Sequence, residues 1–241
     1  MTRKDQKKLK EKVFEANLKL ARSGLVTSTF GNVSGIDRDQ GIIAIKPSGI
    51  PYDSMKAVDI VLVTIKGQKL EKNSPNPSLD TFTHLELYKA FTDIGGITHN
   101  HSDYATAFAQ ARTAIPCLGT THADYFYGSV PVSDVPEDVC MLKNYEMETG
   151  KLITKTFRDR DYKIMKACLV ACHGPFIWGK DACQSVDIAI SLEHIAMLAY
   201  RSIMIKRSVK DIKKTLLDKH YFRKHGKDAY YGQVIKDCKD V

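Results

Sequence analysis

The chain has 241 residues, 43% of them hydrophobic and 27% charged, with a formal net charge of +8. This length suits one large domain with a substantial core, and we expect a single domain over residues 1–241. No run of 18 apolar residues occurs and the basic first segment lacks the apolar centre of a signal peptide, so we expect neither a membrane span nor export.

The basic charge and the cysteines narrow the class of protein further. Lysine and arginine concentrate at 3–12 and 206–227 without a nucleic-acid-binding motif, which predicts solvated helix faces rather than a nucleic-acid partner. The six cysteines are scattered without a CxxC pair, as the free thiols of a cytoplasmic protein would be. The sequence therefore predicts a cytoplasmic protein with no nucleic-acid or membrane partner.

Hydrophobic periodicity predicts a mixture of helices and strands along the chain. The first half is expected to contain a helix over 1–24, strands over 30–37, 41–49 and 59–65, a hairpin and loop over 66–77, a helix over 78–91, a strand over 95–101 and a helix over 102–112. The second half is expected to contain a loop entering a helix over 115–128, a strand ending in a turn over 165–179, a long helix over 180–206 and a basic helix from 209. This mixture indicates an α/β or α+β fold, in which helices flank a sheet.

Two histidines flank one residue at the end of the strand expected over 95–101. Side chains at i and i+2 share a face of a strand, so His99 and His101 can lie side by side as ligands of a divalent metal. The alternative is two partly exposed histidines with unrelated hydrogen bonds. His173, which follows an apolar strand, is a candidate third ligand, and three imidazoles with an open position form a catalytic zinc arrangement.

Two further segments each allow a functional and a structural interpretation. Asp80 can add a carboxylate to the metal site, as ligand or proton carrier, or it can cap the helix expected over 78–91. Lys46, Ser48 and Gly49 can form an anion cradle, or an ordinary Pro-Ser-Gly turn. The residues alone leave both questions open.

Three residues near the ends of later segments are of types that transfer protons. These are Asp124, His220 and Tyr231. Their spacing does not place them in one site, and such residues are commonly solvated or packed.

Taken in order, eight runs of the sequence resemble the class II aldolase/adducin family and, within it, the L-ribulose-5-phosphate 4-epimerase branch. The runs are LVTSTFGNVSGID, IKPSGI, PSLDTFTHLELY, GGITHNHSDYAT, IPCLGTTHADYFYG, YEMETG, HGPFIWGKDA and DKHYFRKHGKDAYYGQ. The last run and GTTHADYFYG are specific to the epimerase branch. The resemblance implies a central, mostly antiparallel sheet with helices on both sides, assembled as a homotetramer with active sites between subunits.

The resemblance also implies roles for individual residues. The implied metal residues are His99, His101 and His173, with Asp80 as an additional ligand or nearby acid/base. The metal is expected to be one Zn²⁺ per subunit, with Mn²⁺ or Co²⁺ as alternatives. The implied substrate residues, which mainly bind its phosphate, are Gly31, Asn32, Lys46, Ser48, Gly49, Ser78 and Leu79. The implied proton carriers are Asp124 and Tyr231, supported by His220 and Glu146.

The activity implied by this resemblance is the interconversion of L-ribulose 5-phosphate and D-xylulose 5-phosphate, by cleavage and re-formation of the C3–C4 bond, in arabinose or ascorbate catabolism. The alternatives are a class II sugar-phosphate aldolase and a catalytically silent, adducin-like structural protein. The chain departs from the family where Leu79 replaces a serine, Asn100 a threonine and Phe30 a tryptophan. None of these changes removes an expected metal ligand or proton carrier.

Overall fold

Six strands form one sheet in the computed structural model, which describes residues 2–135, 138–226 and 229. The strands are β1 (Asn32–Asp37), β2 (Ile42–Ile45), β3 (Val61–Thr64), β4 (Gly96–His99), β5 (Ala167–Leu169) and β6 (Pro175–Gly179). Their order across the sheet is β3-β2-β1-β4-β6-β5, and each neighbouring pair is antiparallel. This confirms the expected antiparallel sheet, with β1 and β4 in its middle.

Helices cover both faces of the sheet, as expected. Those in the described residues are α1 (Arg3–Arg22), α2 (Thr81–Ala90), α3 (Asp103–Gln110), α4 (Thr120–Ala123), α5 (Asp138–Thr156), α6 (Ala182–Ile205) and α7 (Lys214–Phe222). Helices α1 and α6 pack on one face, where Thr98 Oγ1 of β4 lies 2.7 Å from Ser185 Oγ of α6. Helices α2 and α5 lie over the other face, where Ser34 Oγ of β1 lies 2.7 Å from His84 Nδ1 of α2.

An aromatic cluster fixes α2 and α5 against the sheet. The Trp178 ring of β6 lies 5.0 Å from the rings of both Phe91, at the end of α2, and Phe157, just after α5. The Trp178 indole N–H donates a 2.8 Å hydrogen bond to the carbonyl of Tyr162, so the buried ring leaves no polar group unpaired. This packing holds in place the two helices that contribute side chains to the histidine region.

Several elements differ from those expected. The strand expected over 95–101 ends at His99, so His101 lies just beyond it, the strand expected over 41–49 ends at Ile45, and the basic helix expected from 209 begins at Lys214. The helix expected from 78 begins at Thr81, and the backbone N–H of Ser78 before it donates to the Lys46 carbonyl at 3.0 Å. The strand expected over 165–179 is a hairpin, with β5 and β6 separated by a turn. Helix α5 was not expected, and its backbone is non-helical at Asn144, which interrupts the periodicity that predicts a helix.

By length and composition, α6 could cross a membrane, and it is the single such helix in the described ranges. Its residues Val186, Ala189 and Leu192 are buried in the core, and it contacts β4 and β6. A helix that packs on a central sheet meets the same criteria, so the absence of a membrane span stays a prediction, as does the single domain.

Two histidines of the fold are buried in neutral form. Burial lowers the pKa of His84 to about 3 and that of His122 to about 4. In the unfolded chain a histidine titrates near 6.5, so the unfolded state binds more protons below that pH. Because the folded pKa is depressed, the contribution of each histidine to the free energy of unfolding is fully present above about pH 6.5. It falls as pH decreases towards 4, by at most about 1.4 kcal/mol per pH unit for each histidine.

We expect His122→Gln to reduce this pH dependence, because glutamine has no charged form and can still donate to the Gly128 carbonyl that His122 Nε2 contacts at 2.8 Å. The free energy of unfolding in urea, measured at several pH values between 7.5 and 4.5, checks this. An identical slope in the variant and the wild type would contradict the assignment.

Candidate metal centre

Three imidazoles converge where β4 ends. Nε2 of His99 lies 3.1 Å from Nε2 of His101, and one nitrogen from each of His99, His101 and His173 lies within 4.8 Å of the others. The three ring centroids are 4.7 to 4.9 Å apart. Nitrogen lone pairs directed at one point are the arrangement that a divalent cation needs. The geometry therefore favours a metal site over unrelated histidines.

The sheet orients the first of these imidazoles. His99, the last residue of β4, pairs with Asn32 of β1 on one side and Phe176 of β6 on the other. Its ring stacks on Phe176 with centroids 4.2 Å apart and planes 14° apart. His99 Nδ1 lies 3.0 Å from the Pro175 carbonyl, which can only accept, so Nδ1 carries the proton and Nε2 keeps its lone pair for a metal.

The other two imidazoles are held differently. His173 lies in the turn between β5 and β6, and its Nδ1 is 3.1 Å from the Tyr145 hydroxyl. The partly buried ring of His101 stacks on Phe30, with centroids 5.8 Å apart. Burial and the nearby imidazoles lower the pKa of His173 to about 3, and burial also lowers the pKa of His101. Both rings are therefore neutral at neutral pH, the state in which they can ligate a metal.

Asp80 occupies the position before α2 but does not cap the helix with its side chain. Its Oδ2 accepts a 2.7 Å hydrogen bond from Asn32 Nδ2 and lies 4.0 Å from His99 Nε2. Burial works to raise the pKa of Asp80, but nearby imidazoles, led by that of His99, and the Asn32 amide outweigh it and lower the pKa. The structure therefore favours a carboxylate at the edge of the metal site over a helix cap.

The imidazoles open into a cleft of about 390 Å³. All seven residues implied at the substrate line it, together with Glu146 and the four implied metal residues. Two larger grooves run along α1, and neither contains any of these residues. The cleft is therefore the candidate functional site.

A buried lysine lies in this cleft. Lys46 is only 2% exposed, and its Nζ donates to the carbonyls of Ile50 at 3.0 Å and Pro47 at 3.4 Å. The ammonium also lies 4.6 Å from the centre of the Tyr52 ring. Burial lowers the pKa of Lys46, since these neutral partners compensate the buried charge only in part. An anion in the cleft would complete that compensation.

The backbone of Gly31 forms part of the same wall. Its φ of 81° lies in the left-handed region, and a Cβ there would lie 3.0 Å from the His99 carbonyl oxygen. Leu79, by contrast, is 72% exposed. Its side chain places an apolar group at the rim of the cleft, where the resemblance implies a hydroxyl.

Asp124 and His220 come together outside this cleft. Asp124 accepts hydrogen bonds from Arg223 at 2.9 Å and pairs with His220 at 3.2 Å and Lys224 at 3.1 Å. Burial works to raise the pKa of Asp124, but Arg223, Lys224 and His220 outweigh it and lower it. Neither Asp124 nor His220 lines this cleft. Tyr231 lies outside the described residues.

Sequence reasoning missed two polar residues of the cleft, Thr29 and Tyr145. Tyr145 lines it and contacts His173. The signal that could have found it is its position beside Glu146 in the run YEMETG.

The fold and the cleft define a class of protein in which an antiparallel sheet brings together three histidines that could hold a divalent cation, in a cleft that a buried lysine also lines. Within that class, the chain belongs to the class II aldolase and adducin N-terminal domain family, since a sequence model of that family matches residues 11–200.

Solved structures share the fold at low sequence identity. An L-fuculose 1-phosphate aldolase has a TM-score of 0.78 and 24% identity, covering 90% of this chain and 95% of that chain. YgbL from Klebsiella pneumoniae, for which aldolase, epimerase and decarboxylase activities are all considered, has a TM-score of 0.69 and 20% identity, covering 89% and 98%. The L-fuculose-1-phosphate aldolase from Thermus thermophilus has a TM-score of 0.67 and 20% identity, covering 84% and 99%.

We expect His101→Asn to lower the zinc content of the purified protein severalfold or more, because it removes one of three nitrogen ligands. Elemental analysis after dialysis measures the bound metal. The matched control is His194→Asn on the exposed face of α6, which should keep the wild-type content. Full metal content in His101→Asn would contradict the metal site.

Proposed function

We propose that the protein is a metal-dependent, cytoplasmic L-ribulose-5-phosphate 4-epimerase of pentose catabolism. The observation that carries the proposal is the arrangement of one cleft, which has three converging imidazoles and a buried, incompletely compensated lysine among its lining residues. A sugar phosphate has oxygens that can bind a metal at the imidazoles and a phosphate anion that can pair with the lysine. The epimerase branch is chosen because two runs of the sequence resemble it specifically.

The substrate determines what the residues must do. C4 of L-ribulose 5-phosphate is not adjacent to the carbonyl, so its hydrogen is not acidic and simple proton abstraction cannot invert it. Cleavage of the C3–C4 bond gives an enediolate and glycolaldehyde phosphate, and re-addition to the other face of the aldehyde inverts C4. A divalent cation held by His99, His101 and His173 supplies Lewis-acid stabilisation of the negative charge that develops on oxygen.

Protein groups of the cleft would hold the aldehyde fragment between the two steps. Lys46 supplies the positive charge, while the backbone at Gly31 and the hydroxyls of Ser48 and Ser78 are available to phosphate oxygens. Leu79 cannot donate a hydrogen bond, so this phosphate-binding group of residues has one hydroxyl fewer than the resemblance implies. The loss of one neutral hydrogen bond costs about 0.5–1.5 kcal/mol, which the charged Lys46 can offset.

Asp80 is suited to accept and return a proton beside the metal. Its carboxylate is held by Asn32 on one side and faces His99 on the other. An ionised carboxylate at this distance can act as a general base for a substrate hydroxyl, or as a fourth ligand.

The proton exchange at the C4 oxygen has to occur on either of two faces, and Asp124 and Tyr231 are proposed for these two roles. Asp124 lies with His220 outside the cleft of its own protomer. We therefore propose that these residues serve the cleft of a neighbouring subunit in a homotetramer. Exposed apolar side chains at the rim of the cleft, Phe30 and Leu79, offer surface for such a neighbour.

The direct test incubates the protein with L-ribulose 5-phosphate and Zn²⁺, Mn²⁺ or Co²⁺ and measures D-xylulose 5-phosphate. An aldolase would instead release free glycolaldehyde phosphate and dihydroxyacetone at the rate of substrate loss. Neither product with any of the three metals would overturn both enzymatic functions and favour an adducin-like structural role.

We expect Lys46→Met to lower kcat/KM for the phosphorylated substrate by about 10- to 100-fold, since a charge-assisted hydrogen bond contributes about 1.5–3 kcal/mol. Methionine fills much of the lysine stem and removes a buried charge, but it also removes the donor to the Ile50 and Pro47 carbonyls, so a loss of stability of about 1–3 kcal/mol is compatible with the phosphate role. The measurement is steady-state kinetics beside urea unfolding. Lys66→Met, at an exposed lysine, is the control, and an equal loss in both variants would contradict the phosphate role.

We expect Tyr231→Phe to lower kcat by about 10²- to 10⁴-fold, the range that general acid–base groups contribute, while bound zinc stays at the wild-type level. Single-turnover kinetics and elemental analysis of the same sample separate the two effects. Loss of metal in this variant would show that Tyr231 acts at the metal rather than in proton transfer.

A further inference from the structure

We propose that Tyr145 is a positioning residue that holds the imidazole of His173 through Nδ1 and so directs Nε2 towards the cation. The inference rests on the metal site of the proposed function and deepens it, because neither the family match nor the fold comparison assigns Tyr145 a role. It concerns how the protein prepares a ligand, and it does not depend on which sugar phosphate is bound.

The geometry of the contact carries the inference. The Tyr145 hydroxyl lies 3.1 Å from His173 Nδ1, while the ring centroids are 5.9 Å apart and tilted by 38°. The two side chains therefore meet through the hydroxyl and the nitrogen rather than by stacking. With Nδ1 engaged, Nε2 is the nitrogen of His173 that remains for a metal.

The imidazoles of His99 and His173 are each held through Nδ1, but by different kinds of partner. The Pro175 carbonyl fixes the tautomer of His99 whether or not a metal is present, since a carbonyl only accepts. A phenol can donate or accept, so the Tyr145 contact fixes the orientation of His173 but leaves its tautomer free. With the Nε2 lone pair on a cation, Nδ1 would carry the proton and donate a hydrogen bond to the Tyr145 oxygen.

The backbone around Tyr145 is built to keep the hydroxyl in this place. Asn144 has φ −150° and ψ 55° inside α5, so Tyr145 begins a new helical segment and its side chain enters the cleft. The next residue, Glu146, accepts a 2.6 Å hydrogen bond at its carbonyl from Thr83 of α2. A Cβ at Gly150 would lie 2.6 Å from Glu86 Cβ, so the glycine permits this close helix contact.

The test compares metal affinity of wild type, Tyr145→Phe and Tyr104→Phe, each stripped of metal and titrated with Zn²⁺ against a chromophoric chelator. Tyr104 is a partly buried tyrosine whose ring packs on Tyr200, away from the cleft. We expect Tyr145→Phe to bind Zn²⁺ about 10- to 100-fold more weakly, the usual effect of losing a partner of a metal-bound histidine. The control should match the wild type. Equal affinity in all three proteins would overturn the inference.

Two readouts separate positioning from general damage. In a His173→Asn background, Tyr145→Phe should cause no further loss of Zn²⁺ affinity, whereas a separate structural effect would persist and would overturn the inference. The ¹⁵N shifts of His173 in the zinc-loaded protein should show a protonated Nδ1 in the wild type. If Tyr145→Phe weakens zinc binding as expected but the wild type has no epimerase activity, the proposed function is overturned and this inference stands.

Discussion

The antiparallel register across β1, β4 and β6 is the constraint on which the candidate site depends. It places Asn32, His99 and Phe176 side by side on one face of the sheet. Phe176 then fixes the plane of the His99 ring, and Asn32 fixes the carboxylate of Asp80 beside it. A slip of one residue in β4 would turn His99 towards α1 and α6 and remove both contacts. The metal centre is thus a consequence of sheet pairing.

Part of this arrangement could be predicted because it depends on local periodicity. Alternation along the strand expected over 95–101 predicted that His99 and His101 lie together, and they do, although β4 ends at His99 and His101 lies just beyond it. The apolar run before His173 predicted a third histidine at a strand end. The mixture of helical and strand periods similarly predicted a sheet covered by helices. These patterns extend over several neighbouring residues, so they can be recognised without knowledge of the tertiary structure.

The remaining features depend on contacts between distant segments. Whether Asp80 caps α2 or faces His99 is decided by Asn32, 48 residues earlier. The pairing of Asp124 with His220 requires α4 and α7 to pack together. Tyr145 enters the cleft because α5 is broken at Asn144. Asn100 is buried, and its side-chain oxygen accepts a hydrogen bond from the Ser102 N–H at 3.0 Å. None of these follows from periodicity.

The energetics of the cleft argue for a functional role. Desolvation disfavours the charged form of Lys46, whose hydrogen bonds go to neutral carbonyls. His99, His101 and His173 bring three polar rings together at one point, where apolar or fully hydrogen-bonded side chains would cost less free energy. A scaffold gains no stability from either arrangement. Each becomes favourable once the cleft holds a cation at the imidazoles and an anion at the lysine. A ligand that carries both a phosphate and metal-binding oxygens meets both requirements at once, which is the physical reason to expect a sugar phosphate here.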